Sequence, residues 1–307
     1  MEKTLNFGKI KRIHLSAPSK EEINKLVKTY DFHELIEEDL IDMSTQEKID
    51  VYEDYMFIVL NFPKYNADIK KYTLNEFSII LGKGVVVTMT RFETNHVKKI
   101  IEEYQQELKE REDDEDFKIS TYYVLYKIID TMYDKVFGML NKSSRDVVSF
   151  EDQLFSSKRL EKKLLENLMI KKRNIAFLRH TFLPHRDILV DLQNVIPKFY
   201  KEDLDVYFED LSSKLDKILN NVAISFENIE SLAETYNSLM TIKTNSMISV
   251  LTIFAAVTGV LTLISGIYGM NVILPWQNDG HFFLAIVWAM FVIAVTLLVI
   301  FRKKRWI

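Results

Sequence analysis

Residues 247–271 read MISVLTIFAAVTGVLTLISGIYGMN, and the first 21 of them, Met247 to Ile267, carry no ionisable side chain. At 1.5 Å per residue, a helix of about that length crosses a hydrocarbon layer roughly 30 Å thick. A second run of the same kind, Phe282 to Phe301, follows after the short link of residues 269–281. The two runs predict a pair of membrane helices, 247–268 and 282–301, near the C-terminal end of a chain of 307 residues. Neither reads as a cleaved leader, because the N-terminal segment Met1 to Lys11 carries charge and no apolar run.

Orientation follows from the basic residues. Arg302, Lys303, Lys304 and Arg305 follow the second run, Lys243 precedes the first, and the link contains neither Lys nor Arg. Cytoplasmic flanks collect such residues, so both termini, including the basic tail 302–307, are expected in the cytoplasm and the link outside a plasma (inner) membrane. Charged residues make up 27% of the chain, yet almost none falls between Lys243 and Arg302. The segment before Lys243 is therefore expected to form a water-soluble body on the inner side.

Composition excludes several classes. The chain has no cysteine, which fits a reducing compartment and removes both a disulfide framework and a thiolate metal site. With 44 acidic and 40 basic residues it has no electrostatic footprint for nucleic acid. Gly82-Lys83-Gly84 lacks the spaced glycines and hydroxyl of a phosphate loop, and no nucleophile–base constellation marks an enzyme. His180 and His185 are five residues apart with Pro184 between them, a spacing that does not put two metal ligands on one helical face.

The soluble body divides in two. In residues 1–116, β-rich runs (Tyr55 to Phe62, Glu76 to Leu81, Val85 to Thr90) alternate with helix-period segments (Glu21 to Tyr30, Thr94 to Glu112), the pattern of an α/β domain. The glycines at 82 and 84 predict a hairpin, and Pro63 is expected to end its strand. The acidic run Asp113 to Asp116 reads as a solvated boundary. Residues 117–200 are expected to be helical (Phe117 to Phe155, Glu161 to Leu183), with interruptions at Pro184 and Pro197. Nothing from Asp203 to Tyr268 breaks a helix, so a stalk, 201–246, is expected to continue into the first span as one rod roughly 100 Å long.

On that rod Glu234, Thr241, Asn245, Thr252, Ala255, Gly259, Thr262, Gly266 and Gly269 recur at separations of three, four or seven. Such spacing keeps one narrow face toward a common axis. Ile248 is the bulky apolar residue in the register, and with Leu251 it is expected to form an apolar constriction. Small residues also permit plain helix packing. Polar groups at Asn245, Thr252 and Thr262 favour a pore lining, since at membrane depth they need water, an ion or one another. One chain supplies only one stripe, so a pore requires a homo-oligomer, most simply a closed ring.

The stripe ends in Tyr268-Gly269-Met270-Asn271, and here the chain resembles the CorA family of divalent-cation channels, whose signature is a Gly-Met-Asn triplet closing the first of two C-terminal spans. Thr244-Asn245, Val250-Leu251-Thr252, Gly266 to Asn271 and a basic end with Trp306 agree with that family's membrane half. Glu38-Asp39, Tyr52 to Leu60 (YEDYMFIVL), Pro184 with Arg186 and Tyr207-Phe208-Glu209-Asp210 resemble its soluble half. The resemblance implies an α/β/α cytoplasmic domain, a long stalk helix, two transmembrane helices and a funnel-shaped homopentamer in the lipid bilayer.

It further implies a non-enzymatic Mg²⁺ channel with Gly269, Met270 and Asn271 as selectivity filter, moving hydrated Mg²⁺ down the membrane potential. Regulatory Mg²⁺ would bind between subunits at Asp39 and Asp210, with Glu38 beside them, and would close the channel. No cofactor is implied beyond the ion itself. A zinc, cobalt or nickel (Zn²⁺, Co²⁺, Ni²⁺) transporter of the same architecture is the alternative, and a membrane-anchored scaffold a remote one. The chain departs from the family in its link, where Asp279 is the one acidic residue, and in Thr258-Gly259-Val260, where many members carry Met-Pro.

Overall fold

The computed structural model describes residues 2–7, 10–42, 46–91, 120–156, 162–199, 205–271 and 280–304. It divides into two units, residues 1–231 and 232–307. The helix expected over Thr94 to Glu112, the acidic run 113–116, the 116/117 boundary and the start of the stalk at 201 lie outside the described residues.

The first unit is built on six strands, β1 (Glu2–Phe7), β2 (Ile10–Ser16), β3 (Lys48–Val51), β4 (Tyr55–Asn66), β5 (Lys71–Gly82) and β6 (Val85–Thr90). They lie in the order β1-β2-β6-β5-β4-β3. The β2–β6 pair is parallel and every other neighbouring pair antiparallel. Residues 56–63 of β4 are all buried, which requires cover on both faces of the sheet.

Helices α1 (Lys20–Tyr30) and α2 (Glu34–Asp42) supply one cover. Ile23, Leu26, Val27, Ile36 and Leu40 close on Ile13, Leu15, Phe57, Val59, Ile80 and Val87. Ser19 starts α1 in a capping box with Glu22, and Asp31 ends it at a φ of 53°.

The opposite cover is α3 (Thr121–Ser156), α4 (Lys162–Phe182) and α5 (His185–Phe199). Phe62 meets the rings of Tyr133, Phe182 and His185 at centroid separations of 6.2, 6.5 and 5.2 Å. The layers are thus α/β/α.

Two prolines behave differently from expectation. β4 runs through Pro63, which pairs with Leu74 on β5. β3 accompanies β4 only as far as Val59, so among the described residues Pro63 pairs with β5 alone, where a missing N–H is tolerated. Likewise α5 continues through Pro197 to Phe199, because a proline in the last turn removes little of the helix ladder. The glycine hairpin between β5 and β6 forms as expected, with Gly84 at a φ of 86°.

Helix α6 (Asp205–Tyr268) is unbroken over 64 residues, and α7 (Gly280–Lys303) follows with 24. Within the first unit α6 buries Phe208, Leu211, Leu215, Ile218, Val222 and Ile229, a three–four repeat. Polar clasps flank that seam. Lys214 pairs with Asp130 and Asp134 on α3, Arg186 with Asp216 at 2.5 Å and Lys172 with Glu230 at 2.8 Å.

At the centre of the α/β/α core, His185 is 0% exposed. Its Nε2–H donates to the Asn61 carbonyl (2.9 Å), and its Nδ1 accepts from the Tyr133 hydroxyl (3.1 Å). Burial is the main cause that lowers its pKa from 6.5 to about 4. The unfolded chain therefore takes up this proton first as pH falls, and stability is lost between about 6.5 and about 4 by about 3 kcal/mol, then levels off. Thermal unfolding of wild type and His185→Gln across pH 7 to 4 checks this. The wild-type melting temperature is expected to fall more steeply than that of the variant; parallel slopes would contradict it.

Candidate functional site

In the second unit both α7 and the C-terminal part of α6 are long and apolar enough to cross a membrane. Neither helix hides its large side chains within one chain: Phe254, Leu263, Phe283, Trp288 and Phe291 are all exposed. Such a surface is compatible with lipid or with other copies of the chain, and incompatible with water.

The faces of α6 are not equivalent. Ile253 is 4% exposed. Ala256, Val257, Leu261 and Ile264, which share its side at roughly 100° per residue, are partly covered. Thr252, Ala255, Gly259, Thr262 and Gly266 lie on roughly the opposite side and are exposed or nearly so. Asn245, Ile248, Leu251, Thr241 and Glu234 are exposed as well. A shallow groove lined by Ala255, Thr258, Gly259, Thr262, Leu263 and Gly266 runs along this side to Ile267 and Met270.

The hydroxyls on this helix are already arranged. Thr252 donates to the Ile248 carbonyl (2.8 Å), Thr258 to that of Phe254 (2.8 Å) and Ser265 to that of Leu261 (3.0 Å). With its proton committed to its own helix, such a hydroxyl offers only lone pairs outward. Acceptors of this kind suit a cation or the water around it.

Gly259 and Gly266 leave open space within one chain, since an added Cβ at either would meet nothing within 4 Å. Gly269 differs, because a Cβ there would come within 3.1 Å of the Ser265 carbonyl, which also accepts the Gly269 N–H at 2.9 Å. The chain leaves α6 at this glycine, one position after Tyr268. Gly269 is not among the residues of positive φ, and its role here is close approach of backbone to backbone. Met270 and Asn271 follow, both exposed. The link 272–279, with Trp276 and Asp279, and Trp306 lie outside the described residues.

The acids expected to regulate are held by partners in their own chain. Asp39 on α2 accepts from Lys48 Nζ at 2.5 Å, and the same ammonium reaches Asp50 at 2.8 Å. Burial pulls the Lys48 pKa down, but its bonds to the two carboxylates outweigh that and hold it above its ordinary value. Glu38 is exposed beside them. Asp210 on α6 accepts from the Tyr126 hydroxyl at 2.9 Å, and burial together with that bond pushes the phenol up. Within one chain Asp39 and Asp210 are thus tied to different partners. Among the described residues no group of three or more Asp, Glu or His gathers as a metal site.

Sequence reasoning missed Lys48 and Tyr126. Lys48 had a signal, since residues two apart on a strand share a side and Asp50 follows it at that spacing. Tyr126 had none, standing 84 positions from Asp210.

Comparison with known proteins places these features in context. The family described as "CorA-like Mg2+ transporter protein" matches residues 8–303. The "Cobalt/magnesium transport protein CorA" of Thermotoga maritima is 30% identical over 294 residues, covering 93% of this chain and 80% of the relative. The protein of the same name from Methanocaldococcus jannaschii is 25% identical over 296 residues, covering 94% and 89%. The solved structure "The complete structure of CorA magnesium transporter from Methanocaldococcus jannaschii" superposes with a TM-score of 0.81 at 22% identity, covering 97% of this chain and 92% of that one.

Because the chain has no cysteine, single substitutions report on each face without background. In liposomes, Thr252→Cys and Thr262→Cys are expected to react with a water-soluble thiol reagent at least about tenfold faster than Val257→Cys, since thiolates form in water and not in hydrocarbon. Equal rates at all three positions would show that the stripe meets lipid.

Proposed function

The chain belongs to the family of CorA-like Mg²⁺ transporter proteins, and from that premise we propose that several copies of it form a pore through which hydrated Mg²⁺ enters the cytoplasm. The observation that carries the proposal is the acceptor-bearing stripe of α6, exposed on the side away from the covered Ile253 face. One such helix encloses nothing, whereas a ring of them encloses a path lined by Asn245, Thr252, Ala255, Gly259, Thr262 and Gly266. Five copies is the number that family resemblance supplies. Both termini lie in the cytoplasm in this proposal, as the basic flanks require.

Mg²⁺ gives up its water reluctantly, so its filter has to accept hydrogen bonds from the hydration shell at a generous distance. Asn271, exposed just past the end of α6, offers an amide carbonyl without the deep well of a carboxylate ring. Gly269 and Met270 hold the backbone that presents it. Ile248 and Leu251 further in form the apolar constriction able to close by dewetting. The driving force is the inside-negative potential, about 4.6 kcal/mol for a divalent ion at about 100 mV, and no ATP is consumed.

Intracellular Mg²⁺ at Asp39 and Asp210 holds the pore shut in this proposal, each carboxylate exchanging its present partner for an ion shared between subunits. Co²⁺ is the second ion considered, because the two relatives are called cobalt/magnesium transport proteins. The soft-ligand case is weaker. There is no cysteine, and both ring nitrogens of His185 are engaged by Tyr133 and Asn61.

Reconstitution tests the proposal. Liposomes with an internal Mg²⁺ dye and an inside-negative potential are expected to fill when they hold the wild-type protein, and to fill at least about tenfold more slowly with Asn271→Ala. Equal rates would remove Asn271 from the filter. No uptake of Mg²⁺ or Co²⁺ by the wild type would overturn the channel itself.

A further inference from the structure

Between α2 and β3 lies an open groove of about 460 Å³, lined by Leu35, Glu38, Asp39, Lys48, Asp50 and Tyr52 among others. It gathers three carboxylates and one ammonium. The Lys48 side chain is 30% exposed, yet its ammonium does not extend away from the acids. It sits instead between Asp39 Oδ2 at 2.5 Å and Asp50 Oδ2 at 2.8 Å, over the face of the buried Phe57 ring at 5.7 Å. Two carboxylates and an aromatic face make a cation seat, and Lys48 occupies it.

We infer that Lys48 is a tethered cation that competes with divalent ions for Asp39 and so sets the concentration of intracellular Mg²⁺ to which the protein responds. The inference rests on the proposal above that Asp39 takes a regulatory ion. An ammonium held by its own chain is present at a fixed, high effective concentration and cannot be diluted away. A divalent ion therefore gains Asp39 only by displacing it, a competition that lowers apparent affinity. The displacement is feasible because one ammonium does not balance Glu38, Asp39 and Asp50, and the groove keeps a negative field. Once displaced, the lysine stem can swing outward, while Asp50 stays at hand to help hold the ion.

The test uses the purified full-length protein, with its melting temperature followed as Mg²⁺ is added. In the wild type, Mg²⁺ is expected to raise the melting temperature, and Asp39→Asn to abolish most of that rise. In Lys48→Met the Mg²⁺ concentration giving half the rise is expected to fall about tenfold, because the competing positive charge has been removed. Lys48→Gln removes the charge while retaining an amide donor, serves if the methionine variant does not fold, and carries the same expectation. An unchanged or higher half-point in the folded variant would overturn the inference, leaving Lys48 a structural clasp and the regulatory site intact. A wild-type rise that is absent, or insensitive to Asp39→Asn, would overturn the regulatory proposal and this inference with it.

Discussion

A polar group placed at the depth of a bilayer must find water, an ion or another polar group, and the second unit is organised around that demand. α6 carries Asn245, Thr252 and Thr262 into an otherwise apolar run and confines them to one face with Ala255, Gly259 and Gly266. Thr252 spends its proton on a carbonyl of its own helix, as Thr258 and Ser265 do beside the stripe, so what these hydroxyls keep on the surface is acceptor capacity. A single chain offers that face nothing. The proposed need for other copies thus comes from the chemistry of the stripe before any family is considered.

The soluble unit answers a different constraint. A mixed sheet in which β4 is buried along eight residues needs two covers, and the helix pair between β2 and β3 and the helices after β6 provide them. At His185 the cost of burying a polar ring is met by pairing, its two nitrogens matching one donor and one acceptor. The acidic residues of interest have been handled in the same way. Asp39 and Asp210 each have a neutralising or donating partner, Lys48 and Tyr126, so the proposed regulatory ion competes with an existing interaction. Ligand and internal partner then differ only in which is held more strongly, and that difference can be tuned by substitution.

Much of this was legible in the sequence, and the limits have physical causes. The two spans, the long helix and the glycine hairpin were readable because each rests on a signal sustained over many residues or on a backbone conformation that few residues adopt. β1, β2, β3 and α2 were not marked out, being short and, in β2 and β3, laced with charge (Lys11, Arg12, Lys48, Asp50). Pro63 and Pro197 misled because a proline's effect depends on what lies beside it, a second strand or a further helical turn, which composition does not reveal. For the site, Asn271 and the stripe were visible as motif and period. The partners of Asp39 and Asp210 depended on tertiary contacts, over nine residues in one case and 84 in the other.

The central claim is that the stripes of several copies conduct a divalent ion driven only by voltage. The most direct measurement starts with wild-type protein in ATP-free liposomes, equal Mg²⁺ on both sides, and a potassium diffusion potential that makes the interior negative by about 100 mV. The account predicts net inward movement of Mg²⁺ that stops when the potential is collapsed, within a thermodynamic limit of roughly three orders of magnitude and short of it once internal Mg²⁺ closes the pore. No accumulation under the potential, with the protein correctly inserted, would contradict it.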